Sequence, residues 1–210
     1  MQSSDAEVVY FQADTPYRKA IGESQSHLKT ILRSPAHYVS AGKHRLIPSP
    51  AMIMGTAVHC LTLEGQETFD AQFCQRPEGI KFTTKEGKEW RAANSKKTIL
   101  TNEGRDRQWE SVVGMSEALK TLKWFDPETP DYRKYNEVSI YWKEDDIPCK
   151  ARLDRVIPME DEVLVLDLKT TDNISPMKFQ SKLVDLGYDF QAAWYSHAAE
   201  LVYGKPARFI

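Results

Sequence analysis

Residues 162–170, EVLVLDLKT, place an acid and a lysine two positions apart at the end of a nearly unbroken apolar run. A short Val- and Leu-rich run reads as a strand buried on both faces, because a half-exposed strand alternates apolar and polar side chains. A strand buried on both sides needs a layer of structure on each. That requirement points to an α/β chain, a central sheet flanked by helices. On a strand, Asp167 and Lys169 point to one face, which Val163 and Val165 share. Leu164, Leu166 and Leu168 take the other face.

Two upstream segments also read as strands, NEVSIYW (136–142) and CKARLDRVI (149–157). The connections KEDDIP and PMED are turn-like, so the three strands form an antiparallel meander. Residues facing each other across a hairpin have numbers that add to twice the turn centre. Asp154 and Asp167 are centred between 160 and 161, inside PMED. Glu137 and Asp154 are centred between 145 and 146, inside KEDDIP. Unless a bulge shifts the register, Glu137, Asp154 and Asp167 stand side by side. Neighbouring carboxylates repel one another and need a cation. Lys169 supplies one charge. A hard divalent ion supplies two more, and carboxylates with water suit Mg2+ or Mn2+ better than Zn2+. The plain alternative for a bare D-x-K is an ion pair closing a strand end.

The rest of the chain supplies the flanking layers. A helix is expected at about 25–33, opened by Ser24 or Ser26 and stopped by Pro35. MIMGTAVHCLTLEG reads as a buried helix ending at Gly65. Further helices are expected at about 102–123, 176–186 and 189–203. The closing ARFI looks like the start of another strand, short or trimmed. Residues 76–100 are polar and basic and read as an excursion from the core of one domain spanning residues 1–210.

With 41% hydrophobic and 28% charged residues, the chain can build a core and is not a disordered type. No run approaches the roughly 20 apolar residues of a membrane span, and MQSSDAEVVY is no secretion signal. Cys60, Cys74 and Cys149 are odd in number and widely spaced, which fits a reduced, cytoplasmic protein. The net charge of −2 excludes a generic polyanion binder. Its distribution is uneven. Residues 17–45 hold six Lys/Arg against one acid, and residues 81–107 hold eight against four. Two basic stretches on an acidic body suit a nucleic-acid track beside a metal centre, or simply solvated helix faces.

Asp154 followed by Asp167-Leu168-Lys169 resembles the signature of PD-(D/E)xK nucleases, with their restriction-endonuclease-like core. Neither aspartate follows a proline, a departure from the literal motif. Gly55-Thr-Ala-Val-His59 resembles the GxxxH element of the RecB-type branch, and Gln191-Ala-Ala-Trp-Tyr195 its QxxxY element, in matching order. The stretch from about 20 to 205 is similar to the RecE-type, lambda-exonuclease-like group of phage or prophage recombination.

The resemblance implies an exodeoxyribonuclease with Mg2+ (Mn2+ as substitute), two ions per site. Asp154, Asp167 and the Leu168 carbonyl would be ligands, joined by His59. Lys169 would orient the attacking water, and Glu137 would serve a second ion or its water. Gln191 and Tyr195, one helical turn apart, would contact the scissile nucleotide. The resemblance further implies processive 5′→3′ digestion of double-stranded DNA, a ring of three or four copies, and a RecT/Bet-like single-strand annealing protein as partner. A 5′-phosphate could sit on Ser24 and Ser26 with Lys19, Arg33 and Arg45, although N-capping explains a serine there equally well. Trp90, among Lys85, Lys88, Arg91, Lys96 and Lys97, could stack on a base. The alternatives are an endonuclease on the same core, or a DNA-binding module without catalysis.

Overall fold

The computed structural model describes residues 6–41, 47–103 and 106–210. The chain divides into two units, Met1–Ile47 with Arg133–Ile210, and Pro48–Tyr132.

The first unit opens with strand β1 (Glu7–Val9), helix α1 (Asp14–Lys19) and helix α2 (Gln25–Leu28). Ser24 caps α2, its hydroxyl accepting from the His27 N–H. The chain then tightens into a 3-10 turn at Lys29–Leu32 and continues as α3 (Pro35–Ala41). Pro35, expected as a stop, also starts the next helix. Its fixed φ and missing N–H suit a first helical position.

The second unit runs through α4 (Pro50–His59), a π-helical turn (Cys60–Glu64), α5 (Gln66–Gln72), β2 (Phe73–Gln75), α6 (Lys85–Ala93) and β3 (Thr98–Leu100). The two-residue strands β4 (Asn102–Glu103) and β5 (Asp106–Arg107) and then α7 (Gln108–Lys120) follow. Gly65, at φ +95°, closes the π turn, its N–H reaching Cys60 O at 2.9 Å. The stretch 76–100 is more ordered than expected. It contains α6, and β3 pairs in parallel with β2. Gly87 is required there, since a Cβ would stand 2.0 Å from Lys81 O. The helix expected from 102 starts at Gln108, because β4 and β5 pair first. Phe69 anchors this unit, with Phe73 and Trp109 rings at 5.1 and 5.3 Å.

Returning to the first unit, β6 (Asn136–Glu144), β7 (Ile147–Pro158) and β8 (Val163–Leu166) form the expected antiparallel meander. Helices α8 (Pro176–Asp185) and α9 (Tyr188–Tyr203) and strand β9 (Ala207–Phe209) complete the unit. The sheet order is β1-β6-β7-β8-β9, with only β8 and β9 parallel, so the sheet is mixed. Asp145 and Asp146, at φ +45° and +66°, make the two-residue turn between β6 and β7, the left-handed pair that matches strand twist. Tyr195, Ala198 and Ala199 of α9 pack on Val138, Ile140, Val163 and Val165. Each buried valine there contributes roughly 1.5–3 kcal/mol. Among the described residues no helix is long and apolar enough to cross a membrane.

Candidate active site

The site lies in the first unit, where β6, β7 and β8 bring their acids into line. The last ladder pair of β7 and β8, Arg155 with Leu166, puts Asp154 and Asp167 opposite one another one step beyond. The pairs Asn136–Arg155 and Val138–Leu153 bracket Glu137 opposite Asp154. The register is the one read from the sequence, with no residue inserted. Strand β8 itself ends at Leu166, earlier than expected, although Asp167 still donates its N–H to Ile210 O at 3.0 Å.

The Asp167 side chain is only 4% exposed, and each of its oxygens is engaged. Gln191 Nε2 donates to Oδ1 at 2.8 Å, and Lys169 Nζ pairs with Oδ2. Asp154 Oδ2 accepts the Leu168 N–H at 2.7 Å. The segment after β8 thus folds its backbone onto one aspartate and its lysine onto the other. The Lys169 ammonium also stands 5.0 Å from the Tyr188 ring centroid, a cation–π contact at the start of α9. Gln191 and Tyr195 are both buried on α9. Burial holds the Tyr195 phenol well above the ordinary tyrosine pKa, and the Asp154 and Asp167 carboxylates push it the same way.

Glu137 differs from its neighbours. It is 4% exposed and sits at φ +50° as the second residue of β6. A left-handed backbone at a residue with a side chain costs on the order of 1–3 kcal/mol and is held only by its surroundings. Here the Glu137 carbonyl accepts the Gln12 N–H at 3.0 Å. Its carboxylate meets Arg152 Nη2 at 3.0 Å, and Arg152 Nη1 reaches Asp14 Oδ1 of α1 at 3.2 Å.

Two cations here were not singled out from sequence. Arg152 precedes Asp154 by two residues on β7, a spacing that could have flagged it. Lys29 carries no such signal. Its ammonium donates to Leu186 O at 2.9 Å. Burial pushes its pKa below the ordinary lysine range and Lys169 adds to that, while Asp167 and Asp189 oppose it. Gly187, left-handed at φ +59°, lets the Lys29 chain pass, since a Cβ would meet Lys29 Cε at 3.3 Å. Lys29 also lines an open groove of about 740 Å³ with Arg33, Leu32, Leu186, Asp189 and Phe190.

The remaining candidates sit as follows. Ser24 caps α2, and its hydroxyl lies 3.1 Å from that of Ser26. Lys19 is exposed at the end of α1. Arg45 lies outside the described residues. His59 and Trp90 belong to the second unit. His59 is half-buried at the end of α4, against the π turn. Trp90 stacks on Phe82 at 6.2 Å.

Asp154 and Asp167 fit a hard divalent ion by donor chemistry, since both offer carboxylate oxygens from adjoining strands. Among the described residues no group of three or more His, Cys, Asp and Glu stands together as a metal cage. An ion held by two aspartates would complete its shell with water and substrate oxygens, as Mg2+ commonly does. Over residues 24–210 the sequence matches the family described as a PDDEXK-like domain of unknown function (DUF3799). No curated protein matches it.

Proposed function

The chain belongs to the PDDEXK-like family DUF3799, and we propose that it is a Mg2+-dependent nuclease that digests double-stranded DNA from 5′ ends, the polarity resting on the RecE-type resemblance. The observation that carries the reading is the pairing of Asp154 with Asp167 across β7 and β8, with Lys169 on Asp167. PDDEXK nucleases generally use divalent ions. Mn2+ serves as substitute, and Asp154, Asp167 and the Leu168 carbonyl would hold the ion. When bound, it supplies Lewis-acid polarisation of the scissile phosphate and a lower pKa for the attacking water.

The chain's own groups do the rest. Gln191 fixes the orientation of Asp167 through its 2.8 Å hydrogen bond. Lys169 moves its flexible ammonium from Asp167 to the attacking water or to the phosphate oxygen that gains charge. Tyr195 stays neutral, because ionisation in its buried setting is unfavourable, and so keeps an O–H donor for the nucleotide. Lys29 and Arg33 bind backbone phosphates along their groove. Ser24, Ser26 and Lys19 receive the 5′-phosphate. The resemblance to RecE-type enzymes supports processive digestion, a ring of three or four copies, and 3′ tails passed to an annealing protein.

The test is a linear duplex with Mg2+, labelled at either end and carrying a 5′-phosphate or a 5′-hydroxyl. Release from the phosphorylated 5′ end, with covalently closed circles left intact, is the expected result. Digestion from 3′ ends alone removes the exonuclease reading, and equal cutting of closed circles replaces it with an endonuclease.

A further inference from the structure

The geometry points to a centre that takes one divalent ion per chain, because the guanidinium of Arg152 already holds the place at Glu137 that a second ion would need. The inference rests on the metal-dependent reading of Asp154 and Asp167 and departs from the two ions suggested by sequence resemblance.

The case begins with the backbone. Glu137 adopts φ +50° within β6, a conformation that a residue with a Cβ keeps only when its surroundings hold it. Its buried carboxylate lies 3.0 Å from Arg152 Nη2. The other arm of the guanidinium reaches Asp14 at 3.2 Å, and Asp14 also accepts from Arg18 Nε at 2.5 Å. A guanidinium is planar, always charged, and presents its donors as a rigid fork. It faces carboxylates from two elements, the buried Glu137 of β6 and the half-exposed Asp14 of α1. A divalent ion on Glu137 would therefore face a positive charge 3.0 Å from its own ligand.

The opposite corner is built differently. Asp167 is paired with Lys169, whose ammonium sits on a four-carbon stem and is 26% exposed. It can swing aside for an ion without dismantling another element. Asp154 is oriented by the Leu168 N–H. The row of three acids thus divides into an ion-accepting pair, Asp154 and Asp167, and an acid with a resident cation, Glu137. Arg152 acts through Glu137 and is a positioning residue.

The test is titration of the full chain with Mn2+, following free ion by electron paramagnetic resonance and checking folding by circular dichroism. Wild type is expected to bind one Mn2+ per chain, and Asp154→Asn to lose that binding. Glu137→Gln is expected to keep one ion with affinity within about threefold. Arg152→Gln, by vacating Glu137, is expected to admit a second ion, and Arg152→Lys to admit it more weakly. Two ions in the wild type overturn the inference and leave the nuclease reading standing. So does a loss of affinity beyond about tenfold in Glu137→Gln. No Mn2+ bound to the wild type at millimolar concentration removes the metal-dependent reading itself. Should Arg152→Gln fail to fold, Glu137→Gln decides the matter alone.

Discussion

Asp167 and Glu137 stand at opposite ends of one row of acids, both with buried side chains and both facing a cation, yet they are held by different means. The cation of Asp167 is its neighbour but one in sequence, on a flexible stem. The cation of Glu137 comes from the next strand, is shared with α1, and sits against a left-handed backbone. A local, flexible pair can open for chemistry. A pair assembled from three elements holds its shape. The comparison teaches that acids of like charge and similar side-chain burial can have unlike surroundings, one cation anchored locally and the other shared among three elements.

The most severe test of the contrast is loss of an aspartate. Asp154→Asn or Asp167→Asn should lower the rate of DNA hydrolysis at least about 1,000-fold, roughly 4 kcal/mol of transition-state stabilisation. A variant retaining a tenth of the activity would break the assignment. Lys169→Ala should cost about 100-fold or more by removing a charge that acts on the reaction, while Mn2+ binding persists. Loss of ion binding together with activity would make Lys169 a structural partner of Asp167 only. Gln191→Ala frees one oxygen of Asp167 and should cost about tenfold in kcat, a change of roughly 1.4 kcal/mol. An unchanged rate would mean that Asp167 needs no orienting.

The last test concerns pH and stability rather than rate. Tyr195, beside the two aspartates, and Tyr17, beside Arg152, both have pKa values raised above the ordinary value of 10, chiefly by burial. A raised pKa means that the folded state keeps its proton while the unfolded state releases it. The stabilisation is complete below pH 10 and is lost as pH rises above it. Above pH 10 urea unfolding should therefore show a fall in stability of about 1.4 kcal/mol per pH unit for each tyrosine. Tyr195→Phe and Tyr17→Phe should each remove one tyrosine's share of that slope. An unchanged slope in either variant identifies the corner whose tyrosine is not sheltered.

Much of the sheet was legible because strand pairing converts sequence distance into spatial position by simple arithmetic. The turns at PMED and KEDDIP set the register, and Asp154, Asp167 and Glu137 fall where that arithmetic puts them. The α9 positions Gln191 and Tyr195 were legible as one helix face, and Gln191 reaches Asp167. The stretch 76–100 was not legible as structure, since α6 has one main anchor and β3 pairs with a strand more than 20 residues away. Ser24 was read both as a cap and as an anion site, and a capping bond is what its hydroxyl makes.

The sequence by itself determined which acids line up across the sheet. An apolar strand ending in Asp167-Leu168-Lys169, with Asp154 at a matching register, dictates a buried acidic pair with its own cation, because alternation and turn position leave those side chains nowhere else to go. Only the tertiary structure decided which groups Glu137 meets. Its left-handed backbone, the Arg152 fork from β7 and Asp14 from α1 come together from more than 120 residues of intervening chain, and long-range convergence of charges leaves no periodic trace in a sequence.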